Sequence, residues 1–344
     1  MDTPYIITVS TAFPTGSHMK RAEFSKLKQA VKALPPKHKK QLEDILSKPE
    51  DISLITKVLD AKLAKCPHCG EVDMQKWGTS GNRQRYRCKS CKKTFNGLTR
   101  TELNGMHYQD KWDTYVATML EGTFLREAAA ECGISLKTSF NWRHKFLKLV
   151  DNLTDSSLEG IVEIDETEFK WSEKGSRDLE RDARKRGTDK TDEKVKVVVA
   201  KDRSGHIFDK VMQKFTLDEL KPELLPRLAS DIVLCSDGHL NYYWLTRKEN
   251  IKHVELNASA NERVKDKVFH IQNVNNYHGK LKSWIRRFKG VASKNLHKYV
   301  GWMRWFEQNE RSEWTIEQFL YDMLIKASVS TNFANIANTG VFRV

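Results

Sequence analysis

An apolar run climbs through Ile161-Val162-Glu163-Ile164 into Asp165, and alternation then carries the stretch on to Trp171. β-branched residues and a period of two predict a strand here. Asp165 would lie near its carboxyl end, where open α/β sheets gather ligand chemistry. A second apolar run, 232–235, stops on Ser236-Asp237-Gly238-His239. Two strands that each end on an aspartate restrict the fold to one that can bring strand ends together. The chain also carries a formal charge of +14. Basic charge spread over most of its length favours nucleic acid over a single membrane-binding tail. Paired carboxylates in so basic a chain point to a divalent metal used on phosphate.

The surrounding pattern is multidomain α+β. A strand is predicted over 194–201, another over 206–212, a helix over 217–228, a helix over 240–247 and a short strand over 251–256. Three strands followed by helix–strand–helix–strand is the order of an RNase H-like α/β domain with a mixed sheet, here 158–310. That order sets the first and fourth strands side by side. Residues 172–193 are dense in charge and almost free of apolar residues, so they read as a charged loop within a hairpin.

Two-metal phosphoryl chemistry needs at least two carboxylates around ions roughly 3.5–4 Å apart. Asp165 and Asp237 supply two ligands. A helix over 276–288 offers no acid for the third, and His278 is its best-placed polar residue. Asn275 and Asn276 compete with it. Lys282 and Arg286 follow His278 at i+4 and i+8, on one face, with Arg287 beside them as a further candidate for phosphate. Glu163 shares the Asp165 face as a possible supporting acid. Glu166 and Glu168 should point to the opposite face, and His239 lies close to Asp237.

Cys66-Pro-His-Cys69 and Cys88-Lys-Ser-Cys91 are two knuckles. Four thiolates at that spacing suit a tetrahedral structural Zn²⁺ site in a zinc ribbon, 64–100. His68 is not expected to bind. Cys132 and Cys235 stand alone. A helix-turn-helix follows in 105–155: helices over 111–121, 125–131 and 136–150, a turn at Cys132-Gly133-Ile134, and Ser135 as cap of the third helix. Its outer face would offer Lys137, Thr138, Asn141, Arg143, His144 and Lys145 to double-stranded DNA. Trp142, Phe146, Trp302 and Trp305 read as core.

The ends are simpler. Gly16-Ser17-His18-Met19 resembles an expression-vector scar, so 1–18 reads as a tag. Helices are expected within 19–63: one with Phe24, Leu27, Val31 and Leu34, one with Leu42, Ile45 and Leu46, and one capped by Asp51. Ser293 should cap a helix bearing Leu296 and Tyr299. A last helix, 315–326, and a polar tail fill 311–344. No apolar stretch reaches the ~20 residues a membrane span requires.

The ordered set CPHC…CKSC, helix-turn-helix, IDETEF, CSDG and NNYHGKLKSWIRRFKGV resembles the zinc-ribbon insertion-sequence transposases of the ISXO type. The resemblance runs from about residue 20 to 310. It implies catalytic residues at Asp165, Asp237 and His278, since the family's third residue is Glu, Asn or His. It implies catalytic Mg²⁺ or Mn²⁺, binding of terminal inverted repeats, metal-dependent hydrolysis of the ends and joining of 3′-hydroxyls to target DNA. A homodimer or larger assembly and a cytoplasmic, nucleoid-associated bacterial location would follow. The sequence departs from the family in two places: Phe169 is followed by Lys170-Trp171-Ser172 instead of two glycines and a lysine, and the family's basic position seven beyond the third ligand holds Ile285. A structure-specific nuclease or resolvase, or a DNA-binding regulator with a decayed catalytic domain, are the other functions these motifs allow.

Overall fold

The computed structural model describes residues 29–36, 38–39, 53–80, 83–151, 157–176, 194–256, 263–309 and 314–324. Residues 1–18, Phe24, Leu27, Leu42, Ile45, Leu46, Asp51, residues 177–193 and residues 325–344 lie outside them. The expected cap Asp51 is replaced by Ser53, whose hydroxyl accepts from the Ile55 amide at the start of α1 (Leu54–Ala61).

A three-stranded antiparallel sheet follows, β1 (Met74–Ser80), β2 (Arg83–Cys88) and β3 (Thr94–Phe95). Then come α2 (Trp112–Leu120), α3 (Leu125–Glu131) and α4 (Leu136–Asp151). The turn between α3 and α4 runs through Gly133 at φ 57°, a conformation glycine adopts without strain. The Thr138 amide donates to the Ser135 hydroxyl at 3.0 Å, the cap expected from the sequence.

The large sheet contains β4 (Ile161–Lys170), β5 (Lys194–Asp202), β6 (Ile207–Met212), β7 (Val233–Ser236) and β8 (Lys252–Glu255), in the order β6-β5-β4-β7-β8. β4, β5 and β6 pair antiparallel, and β7 and β8 join parallel. The mixed sheet therefore sets the first and fourth strands side by side. Side chains alternate between its faces as the pleat dictates. Val162, Ile164, Val198 and Leu234 pack on α5 (Leu217–Leu224) and α6 (Leu240–Lys248). Val195, Val197 and Val199 pack on α7 (Gln272–Arg287) and α8 (Leu296–Gln308). Ser293 does not cap α8, which starts after Asn295. Its hydroxyl instead accepts from the Ser172 amide at 2.8 Å.

The far side of α8 is covered by the helix-turn-helix. One apolar cluster joins Ile55 and Val58 of α1, Trp112 and Tyr115 of α2, Phe146 and Leu147 of α4, Tyr299, Trp302 and Trp305 of α8, and Phe319 and Leu320 of α9 (Ile316–Leu324). The third helix expected within 19–63 and the one expected over 315–326 thus share the helix-turn-helix core. Arg143 is the pin of this joint. It is fully buried, its guanidinium lies 4.8 Å from the Trp302 ring and donates to the Thr123 carbonyl at 3.0 Å. Arg143 is therefore no DNA contact. His144 also turns inward, between the rings of Phe140 and Tyr299.

Trp302→Ala should lower stability by roughly 3–5 kcal/mol, the usual cost of emptying a large aromatic site. Calorimetry should show the five-stranded sheet and the helix-turn-helix melting together at the lower temperature. Two transitions with only one displaced would show that the shared cluster does not couple them.

Candidate active site

Asp165 lies on the sheet face that α7 covers, opposite Val199 of β5. β7 runs parallel to β4, with Val162 opposite Leu234 and Glu163 opposite Cys235. Two steps further along that register, Asp237 arrives beside Asp165. Burial and the charge of Asp237 together push the Asp165 carboxyl up to about 7, against the Glu166 amide that donates to it at 2.8 Å. Asp237 itself is exposed, and its Oδ1 accepts from the His239 amide at 3.2 Å.

His278 reaches the same place from α7. It is 6% exposed, and its Nδ1 stands 3.7 Å from Asp165 Oδ2, too far for a hydrogen bond. Burial and the Lys282 charge lower its pKa to about 4. The imidazole is then neutral at pH 7, and its buried Nε2 has no hydrogen-bond partner. A neutral ring with an unsatisfied nitrogen is the form that ligates metal. Lys282 also acts on Asp165 and Glu168, so it faces the carboxylates, and Arg286 is exposed one turn on. Arg287 serves the domain joint instead. Its guanidinium lies near the rings of Phe124 and Trp284 and donates to the Glu121 carbonyl at 3.3 Å. Asn275 and Asn276 are exposed.

Glu163 has a different part from the one expected. It is fully buried, and its carboxylate accepts from the Asn273 amide at 2.8 Å, the Val274 amide at 3.1 Å and Asn273 Nδ2 at 2.8 Å. Arg203 closes the cluster at 2.7 Å. Glu163 is thus the N-terminal anion of α7, supplied from the strand that carries Asp165. This explains why α7 starts a turn before the predicted 276: Ile271 has no side-chain cap to offer, and the cap comes from β4. The Tyr277 hydroxyl donates to Asp209 at 2.6 Å and fixes the middle of the helix. Glu166 points to the other face, as alternation requires, and accepts from Tyr242 at 2.9 Å and Lys196 at 3.0 Å. His239 caps α6, its Nδ1 accepting from the Asn241 amide.

On α4, Lys137 and Asn141 are exposed, and Thr138 is half-buried beside Ser135. Lys145 donates to the Asn104 carbonyl at 3.2 Å.

The four knuckle cysteines converge, with Sγ–Sγ distances of 3.7 Å for Cys66–Cys91 and 3.6 Å for Cys69–Cys88. Disulfides require about 2.05 Å. A tetrahedron with Zn–S bonds of about 2.3 Å has edges close to the observed separations. The Cys91 amide holds the Cys88 thiol down to about 7, ready to ionise. Among the described residues, these four alone bring three or more metal-ligating atoms all within 4.8 Å of one another. Asp165, Asp237 and His278 form a looser group.

Residues 157–307 match the ISXO2-like transposase domain. This segment belongs to that transposase family. The transposase domain thereby spans β4 to α8 and contains Asp165, Asp237 and His278. A protein of the transposable element ISH50 from Halobacterium salinarum is 27% identical over 245 residues, 68% of this chain and 82% of its own length. Two solved structures also align at 12% identity. A pre-cleavage Mos1 transpososome overlaps 57% of this chain and 77% of its own, with a TM-score of 0.24. A Mos1 paired-end complex with the left transposon end overlaps 55% and 74%, with a TM-score of 0.23. No helix among the described residues is long and apolar enough to cross a membrane.

Two predictions follow from these charges and sulfurs. Because the folded pKa of Asp165 is about 7 and the ordinary value is 3.8, the fold penalises its charged form. The penalty is absent below pH ~4, grows as pH rises and is complete above pH ~7. Without divalent ions, Asp165→Asn should therefore raise stability at pH 8, by up to about 4 kcal/mol, and leave it unchanged at pH 4. Urea melts at the two pH values measure this. Separately, purified protein should hold one zinc per chain, and stripping it with a strong chelator should unfold the β1–β3 sheet. Metal analysis with amide exchange of residues 64–100 reads both.

Proposed function

We propose that this protein is an insertion-sequence transposase that binds terminal inverted repeats of double-stranded DNA, hydrolyses the strand ends and joins the 3′-hydroxyls to target DNA. The observation that carries the reading is an Asp165 carboxyl that feels the charge of Asp237 and stands 3.7 Å from the His278 ring, within a segment that matches a transposase domain. A half-buried carboxylate that already feels a second carboxylate, beside a neutral imidazole with an unsatisfied nitrogen, fits the donor set for a divalent cation. Mg²⁺ or Mn²⁺ held by these three residues would neutralise phosphate charge and activate the attacking oxygen.

The chain's own residues supply the remainder. Lys282 and Arg286 extend from the His278 face of α7 and would hold the phosphate oxygens. Lys137, Thr138, Asn141 and Lys145 of α4 offer donors to base edges and phosphates of a repeat. The Arg143 joint fixes α4 against α8, so a repeat seated on α4 keeps a constant relation to the site. Cys66, Cys69, Cys88 and Cys91 would hold zinc as a structural ion. Two ends must be joined in one reaction, so the active species is a dimer or larger assembly on DNA.

Asp165→Asn and Asp237→Asn should each lower end cleavage and strand transfer by at least about a hundredfold, consistent with losing several kcal/mol of charge stabilisation, with duplex binding retained. His278→Ala should lower both steps and weaken the response to added Mg²⁺. The assay uses pre-cut and uncut repeat ends. Full activity in an aspartate variant would remove that residue from the mechanism. Cleavage without joining would make the enzyme a nuclease.

A further inference from the structure

Residues 64–100 contain nine Lys or Arg and only two Asp or Glu, so this short segment holds half of the net charge of +14. Its sheet has two unlike faces. On one, Met74, Tyr86 and Phe95 pack with the cysteines, and Tyr86 stacks on Phe95 at 6.1 Å. On the other, the register sets Gln75 opposite Arg87 and Arg87 opposite Thr94. Arg85, two residues from Arg87, shares that face and donates to the Thr94 hydroxyl at 3.1 Å.

Trp77, two residues beyond Gln75, lies on the same face by alternation, and a bulge begins at it. Lys76 pairs with Tyr86 and Thr79 with Gln84, so Trp77 and Gly78 together oppose Arg85 alone. Gly78 has φ 66°, a conformation open to glycine. Trp77 is 44% exposed on this face. It belongs to none of the apolar clusters. The Arg87 guanidinium covers its ring at 4.5 Å and donates to the Lys92 carbonyl at 3.2 Å.

We infer that this bare face is a DNA-binding surface centred on the stacked pair Trp77–Arg87. An exposed indole backed by a guanidinium offers a flat face for stacking. A flat aromatic held beside guanidinium groups suits the alternating sugar, base and phosphate of a nucleic acid. The surplus of cations selects a polyanion, and the reading of the catalytic site as a DNA transposase identifies it as DNA. On that reading the ribbon is a second contact, separate from the recognition helix α4.

The test uses the full chain, a labelled duplex and fluorescence anisotropy without divalent ions. Trp77→Ala and Arg85→Glu should each weaken binding about tenfold. Arg85→Glu should also reduce the slope of log affinity against log salt by about one. Zinc content and circular dichroism verify the ribbon. If Trp77→Ala loses zinc, Arg85→Glu decides alone. Wild-type affinity in variants that keep zinc would overturn the inference and leave the catalytic reading standing. A wild-type protein that binds no duplex would overturn the DNA reading itself.

Discussion

A buried carboxylate ties the two halves of the site together. Glu163 is two residues before Asp165 on the same strand face, and it accepts the first amides of the helix that carries His278. A buried charge is tolerable only when donors surround it, and here two backbone amides, an Asn273 amide group and Arg203 do so. The separation between Asp165 and His278 is then set by a stiff strand, a stiff helix and one hydrogen-bonded anchor. Tyr277 on Asp209 and the Trp284 indole on the Tyr299 carbonyl secure the rest of the helix.

That anchoring lets the site remain electrostatically uncomfortable. Asp165 is asked to ionise next to Asp237 in a place where water is scarce, and the imidazole opposite is too desolvated to supply a proton. Lys282 compensates only in part. Unfavourable charge arrangements of this kind mark places where a cation is expected to contribute binding energy.

Much of this could be read from the chain. Apolar alternation located β4 and β5, the run before Ser236 located β7, and the strand order followed. The helix-turn-helix was legible because Gly133 and Ser135 are local signals with local consequences. The start of α7 was not, because its cap lies more than a hundred residues upstream in Glu163. Arg143 misled for a similar reason. On a helical wheel it is one more basic residue, and only the arrival of Trp302 from another part of the chain makes its position interior. The Trp77 bulge also escaped, since a single extra residue in a strand leaves no periodic trace.

The shared cluster around Trp302 bears on which parts of the chain can be exchanged. Exchanging the α2–α4 unit for another would strip the cover from Tyr299, Trp302 and Trp305 and from Phe319 of α9. A graft would therefore have to import α9 and the matching surface of α8 along with it. The β1–β3 sheet packs around its own sulfur cluster and meets α1 through the Arg83–Asp60 ion pair at 2.8 Å, so its exchange would disturb one ion pair instead of a shared aromatic core.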